Sequence, residues 1–223
     1  MPADAMRELF RTAGAPPNLA PSWNVAPTQS APVVRRHPET GERHLDPLRW
    51  GLRPRWAKVE KGAREPINAR AETVASNGMF RQAYAKRRCI VPAVAFYEWK
   101  VLDGGKHPMA IAPASGEAMA FADIWENWRG EGDEVVRTFA VVTAEANGPM
   151  RAVHDRMPVI LAPGDWTEWL EGDDPAALMR PAPDDLLRFW PVSKAVNSPR
   201  NNGPELLAEH APAPDGGGGP NPA

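Results

Sequence analysis

Short runs in which apolar and polar positions alternate dominate this chain, and stretches with helical spacing are few and brief. Pro32 to His37 and Arg43 to Leu52 read as two strands, joined by the hairpin turn Pro38-Glu39-Thr40-Gly41-Glu42. A denser set of strands follows at Cys89 to Val91, Ala95 to Val101, Pro108 to Ala112, Met119 to Trp128 and Val135 to Thr143. Asp103-Gly104-Gly105 and Gly130-Glu131-Gly132-Asp133 punctuate that set as turns, and a last strand is expected at Leu187 to Ser193. Strands joined by such short links pair antiparallel, because a parallel neighbour needs a longer crossover.

Helical spacing is confined to a few places. Pro2 to Thr12 is one: Pro2 suits a first turn, Met6, Leu9 and Phe10 share a face, and Gly14 with Pro16-Pro17 ends the run. Gly78 to Lys86 is another, with Met79, Phe80 and Ala83 inward, and short helices are expected at Pro163 to Leu170 and Pro175 to Met179. The fold class is α+β, and 223 residues with 43% hydrophobic content favour one domain. That domain is expected over residues 1–210, followed by a Pro- and Gly-rich tail from Ala211 that reads as disordered.

Composition changes this picture in two ways. The net charge of −2 conceals a division: Arg49 to Lys100 carries 12 Lys or Arg against 4 Asp or Glu, whereas Val101 onward carries 9 against 19. A basic half suits an anionic partner, although a basic face balanced by an acidic one accounts equally well for the counts. The single cysteine, Cys89, excludes an internal disulfide and a cysteine-based zinc site, which fits a reducing compartment. No apolar run reaches the roughly 18 residues of a membrane span and no signal-peptide core is present, so a cytoplasmic protein without membrane association is expected. The nine tryptophans are mostly anchors of the core, with one or two available to stack on bases.

Three segments concentrate reactive side chains. His154 lies in the polar run His-Asp-Arg just before the apolar run Pro158 to Leu161, where an imidazole could move protons at neutral pH or simply bridge a loop. Glu98 interrupts the apolar strand Val94-Ala95-Phe96-Tyr97-Glu98-Trp99. By alternation it shares a face with Phe96 and Lys100, so it is either a desolvated carboxyl with a raised pKa or a surface partner of Lys100. Asn68 and Arg70, two apart on an extended segment, point the same way. Arg70 could fork onto phosphate and Asn68 could bond a sugar oxygen, while a turn-forming Asn and a surface Arg remain the simpler account. Cys89 sits in a strand and reads as buried and inert. No metal-ligand spacing and no glycine-rich phosphate loop is present, and no cofactor is expected.

Seven segments in order carry a resemblance. They are Trp23-Asn24-Val25-Ala26-Pro27-Thr28, Trp50-Gly51-Leu52 with Trp56-Ala57, Ile67 to Thr73, Arg88-Cys89-Ile90-Val91-Pro92, Phe96 to Lys100, His154-Asp155-Arg156-Met157-Pro158 and Trp190-Pro191-Val192-Ser193. Together they resemble the SOS-response-associated peptidase (SRAP) family over nearly the whole chain short of the tail. The resemblance implies one domain built on a largely antiparallel, strongly curved, barrel-like sheet with flanking short helices. It also implies a DNA-damage protein that binds abasic sites in single-stranded DNA and links to them covalently, as a monomer, in the cytoplasm and on the nucleoid when DNA-bound. In that family an N-terminal cysteine, exposed by self-removal of the initiator methionine, captures the sugar aldehyde as a thiazolidine. Carried over by motif, Asn68 orients the sugar, Glu98 shuttles protons, and His154 assists ring opening and crosslink reversal. Arg70 grips phosphate, Trp56 wedges beside the damaged nucleotide, and Trp50 and Thr143 lie near the DNA.

The chain departs from the family pattern at its start, where Met-Pro stands in place of Met-Cys-Gly-Arg. Three readings follow: a native start upstream that includes the missing segment, a non-covalent binder of single-stranded or abasic DNA, or a lyase that uses the secondary amine of Pro2.

Overall fold

The computed structural model describes residues 1–58, 65–130 and 134–210. The expected disordered tail and residues 131–133 of the turn expected at Gly130 to Asp133 lie outside the described residues. Ten strands organise the domain: β1 (Ser30–Arg36), β2 (Arg43–Trp50), β3 (Asn68–Arg70), β4 (Arg88–Ala93), β5 (Phe96–Leu102), β6 (Gly105–Pro113), β7 (Met119–Arg129), β8 (Val135–Glu145), β9 (Arg156–Pro158) and β10 (Leu187–Pro191). Among the described residues four α-helices accompany them: α1 (Ala3–Phe10), α2 (Arg81–Lys86), α3 (Gly148–Arg151) and α4 (Trp166–Glu171). Among the described residues no helix is long and apolar enough to cross a membrane.

The larger sheet runs β2-β1-β4-β7-β8, and a β2–β8 pairing closes those five strands into a barrel. Its neighbours are antiparallel apart from two short parallel contacts, Arg49 and Trp50 of β2 with Thr138 and Phe139, and β3 with residues 141 to 143 of β8. Both parallel contacts are made by segments that return from a long excursion rather than through a hairpin, so turn length does not reveal them.

Alternation sorts the barrel residues into two packed faces. Val33, Leu48, Cys89, Val91, Phe121, Trp125, Phe139 and Val141 fill the interior. Val34, Leu45, Ile90, Ala122, Ile124 and Val142 face outward beneath Phe10, Trp166 and Trp169. Burial on both faces explains the nearly unbroken apolar runs of β7 and β8. Helix α1 stops early because Arg11 takes a left-handed conformation (φ 53°). Its buried stripe is the i, i+4 pair Met6 and Phe10, while Leu9, expected inward, is 43% exposed. Trp166 of α4 lies against Phe10 with ring centroids 4.4 Å apart, and the Trp169 indole N–H donates to the Cys89 carbonyl at 2.8 Å.

A second sheet, β10-β6-β5, closes one end of the barrel. Ile111, Phe96, Leu187 and Phe189 face the barrel core, and Phe96 meets Phe121 edge-on at 5.7 Å. Tyr97, Trp99 and Trp190 cover a small separate cluster around Ala110, Val192, Val196 and Leu206. The alternation expected of β5 is therefore present, with Phe96 and Tyr97 in different cores.

Candidate active site at the rim of the barrel

Strand β8 is eleven residues long and outruns the barrel. Its first half pairs with β2 on one side and β7 on the other. Its last residues hold β3 on one side, Arg70 opposite Thr143, and β9 on the other, Pro158 opposite Thr143 and Arg156 opposite Glu145. Segments far apart in sequence, Asn68 to Glu72 and His154 to Pro158, thus flank one strand end. In β3 the middle residue Ala69 is buried, and Asn68 and Arg70 stand exposed on the other face, as their spacing predicts. The Trp50 indole donates to the carbonyl of Ile67 at 2.9 Å and stacks 6.2 Å from Phe139. It thereby anchors the backbone immediately before Asn68.

His154 is set by a short helix pinned at both ends. Asn147 caps α3 by accepting from Met150 N–H at 3.0 Å, while its own amide donates to the carbonyls of Ala182 and Pro183. The His154 N–H then donates to the Met150 carbonyl at 2.9 Å. The expected apolar strand begins earlier than its hydrophobic pattern suggests, at Arg156 rather than Pro158. Beyond Pro158 the chain crosses to β7, where Ile160 bridges Phe121.

Two adjoining hollows share His154. One, of about 490 Å³, is lined by Arg70, Glu145, Arg151, His154, Asp155 and Arg156; the other, of about 420 Å³, by Glu98, Trp99, Lys106, His154 and Asn197. Burial pushes the Glu98 carboxyl above the usual carboxylate range, opposed by positive charge at His154, the Trp99 backbone N–H and Lys106. No pairing of Glu98 with Lys100 is present; the cation that shares its hollow is Lys106, delivered by the β5–β6 hairpin. Asn197 is held by the Trp99 indole N–H at 2.7 Å. Arg156 forks onto Glu72 at 2.7 and 2.9 Å and also donates to the Thr143 carbonyl, so Thr143, buried, ties β9 to β3. The hydrogen bond from Arg156 holds the Glu72 carboxyl below its ordinary range. The Arg70 guanidinium by contrast makes no hydrogen bond or ion pair among the described residues, although its charge helps to lower the Glu72 carboxyl.

Trp56 stands apart on a turn, 64% exposed. The turn itself is firmly held: Arg53 N–H donates to Thr138 Oγ1, the Arg53 guanidinium lies 4.4 Å from the Trp128 ring centroid, and the Trp128 indole donates to the Ala57 carbonyl. Among the described residues this indole, presented to solvent on a braced turn, packs into none of the core clusters. Cys89 is wholly buried, and desolvation drives its thiol well above the ordinary value, which removes it as a nucleophile.

Of the residues singled out in the sequence, Arg70, Glu98 and His154 line the two hollows and Asn68 stands beside Arg70 on β3 without lining either, while Lys106, Asn197 and Arg151 were passed over. Lys106 was within reach through the register of the Asp103-Gly104 hairpin, which sets it opposite Val101. No local signal marks Asn197 or Arg151, whose places depend on the tertiary fold.

A closed β-barrel that gathers Glu98, His154 and Arg70 in two adjoining hollows at one rim is the class of domain the fold and site define. The chain belongs to the SOS response associated peptidase (SRAP) family, whose model matches residues 1–199. It is 42% identical over 196 residues to the abasic site processing protein YoqW of Bacillus subtilis, covering 85% of this chain and 87% of that protein. Against the abasic site processing protein HMCES of Gallus gallus the identity is 33% over 225 residues, covering 84% of this chain and 66% of the relative. A crystal structure of a Bordetella bronchiseptica protein superposes with a TM-score of 0.77 at 29% identity, covering 86% of this chain and 96% of the other.

Proposed function

We propose that this protein processes abasic sites in single-stranded DNA, acting as a monomer whose domain extends to residue 210 and capturing the ring-opened sugar aldehyde. The observation that carries the reading is His154, which lies between a hollow holding a burial-raised carboxyl and a hollow holding Arg70. A carboxyl kept protonated to higher pH can give a proton, and an imidazole can take one and return it. The family relationship supports the substrate: the curated relatives are named as abasic site processing proteins.

In the proposed reaction His154 assists opening of the sugar hemiacetal, exposing the C1′ aldehyde, and Asn68 orients the sugar. An α-amine adds to that carbon. Glu98 protonates the departing hydroxyl so that water leaves and an imine forms; a neighbouring thiolate then adds to the imine carbon and closes a thiazolidine. A terminal amine suits the step because it titrates near ~8 and is partly neutral at pH 7, unlike a lysine. The nucleophile we propose is an N-terminal cysteine ahead of Met1, uncovered by loss of its own initiator methionine with Glu98 as proton shuttle. Arg70 grips a phosphate, and Trp56 stacks beside the lesion. Trp50 and Thr143 support β3 and β9 next to the strand.

The test incubates protein isolated from its native source, and separately the 223-residue chain, with a single-stranded oligonucleotide bearing one abasic site. A denaturant-resistant adduct with the native protein, mapping to an N-terminal cysteine, is the expected result. Salt-sensitive binding with no adduct from either preparation would reduce the protein to a non-covalent binder.

A further inference from the structure

Arg156 touches His154 only through its backbone and Glu72 only through its side chain, so one residue links a carboxylate to the imidazole. Its N–H lies 3.0 Å and its carbonyl oxygen 3.1 Å from the same ring nitrogen, Nδ1 of His154. A bare Nδ1 accepts from that N–H, and a protonated Nδ1 donates to that carbonyl. The ring therefore keeps a partner at Nδ1 in either state, which leaves Nε2 for exchange with a ligand or with neighbouring groups. Keeping both backbone groups in reach of one atom requires Arg156 to be immobile. Its guanidinium supplies that, through two parallel bonds to Glu72 and one to the Thr143 carbonyl across β8.

We propose that Glu72 is a positioning residue for proton transfer at His154, acting through Arg156. The proposal rests on the reading of His154 as a proton-transfer group. The charged groups that face His154 are Glu98 of β5, Lys106 of β6, Arg70 of β3, Glu145 of β8, Arg156 of β9, and Arg151 and Asp155 on its own segment. Of these, Arg156 and Arg70 interact with the Glu72 carboxylate and the others are left as they are when Glu72 is changed. Glu72 itself is half exposed, and an ion pair so placed adds little to the stability of the fold.

The experiment takes as parent the protein carrying the proposed N-terminal cysteine and compares it with Glu72→Gln and Glu72→Asp, each labelled with 15N-histidine. The ring-nitrogen signals of His154 are followed across pH at low ionic strength, which keeps the Glu72–Arg156 pair formed in the parent. In Glu72→Gln the separate Nδ1 and Nε2 signatures collapse toward those of a free imidazole, and the pH profile of abasic-site capture changes shape. The capture rate falls about tenfold, part of the ~10²–10⁴-fold that general acid–base catalysis supplies. Glu72→Asp, which keeps a carboxylate, recovers most of both. Ring signals in Glu72→Gln that superimpose on those of the parent overturn the proposal. If the parent itself captures no abasic DNA, the functional reading fails while the ring signals still decide the role of Glu72.

Discussion

Glu98 experiences two opposing influences: burial favours its neutral form, and the positive charge of His154 and Lys106 favours its ionised form. Burial prevails, so the acid survives to higher pH than an ordinary glutamate, and activity that needs it declines as pH rises through its folded value. Glu98→Gln is expected to cut the rate of abasic-site capture by ~10²–10⁴-fold while leaving affinity for the DNA nearly unchanged, measured by adduct formation against equilibrium binding. Arg70 and Trp56 predict the opposite division. Arg70→Ala should weaken binding to single strands of any sequence and reduce the slope of log affinity against log salt by about one. Trp56→Ala should cost about 1–3 kcal/mol of binding free energy, the value of one stacked base.

At the scale of elements, the smallest helix has the largest consequence for the site. Helix α3 is only four residues long, too short to persist alone, and is stabilised by the Asn147 cap together with the carbonyls that Asn147 holds. Asn147→Ala should cost at least ~1 kcal/mol in thermal denaturation and lower the capture rate, because His154 hangs from the carbonyl of Met150. This helix was not legible in the sequence. Gly148-Pro149-Met150-Arg151 has neither the length nor the periodicity of a helix, and its cap partners lie at Ala182 and Pro183. The hairpins β1–β2 and β5–β6 were legible, since turn residues fix their register locally. The inward face of α1 was read one residue too wide, because Leu9 adjoins the stripe without belonging to it. The site followed the same division: Asn68, Arg70 and Glu98 could be placed by strand alternation, whereas Arg151 and Asn197 owe their positions to the packing of loops.

For the molecule as a whole, the barrel interior contains one unexpected carboxyl. Asp123 is fully buried beside Cys89, with a single hydrogen bond, from the Val91 N–H at 3.2 Å, and its other oxygen unpartnered. Desolvation drives its folded pKa well above the ordinary value. The native state therefore holds this proton more tightly than the unfolded chain, whose aspartates titrate near ~3.9. The stability it contributes is complete below about pH 4 and is lost as pH rises toward the folded value, at up to ~1.4 kcal/mol per pH unit. Asp123→Asn should flatten that decline, which urea denaturation midpoints between pH 4 and 8 will show. Strand β8 has a further consequence for a chain as it is made. Because β3 and β9 are brought together only along its last residues, a fragment that stops short of β9 lacks one wall of the rim. During synthesis the two walls therefore meet only after β8 and β9 have both emerged, late in the chain.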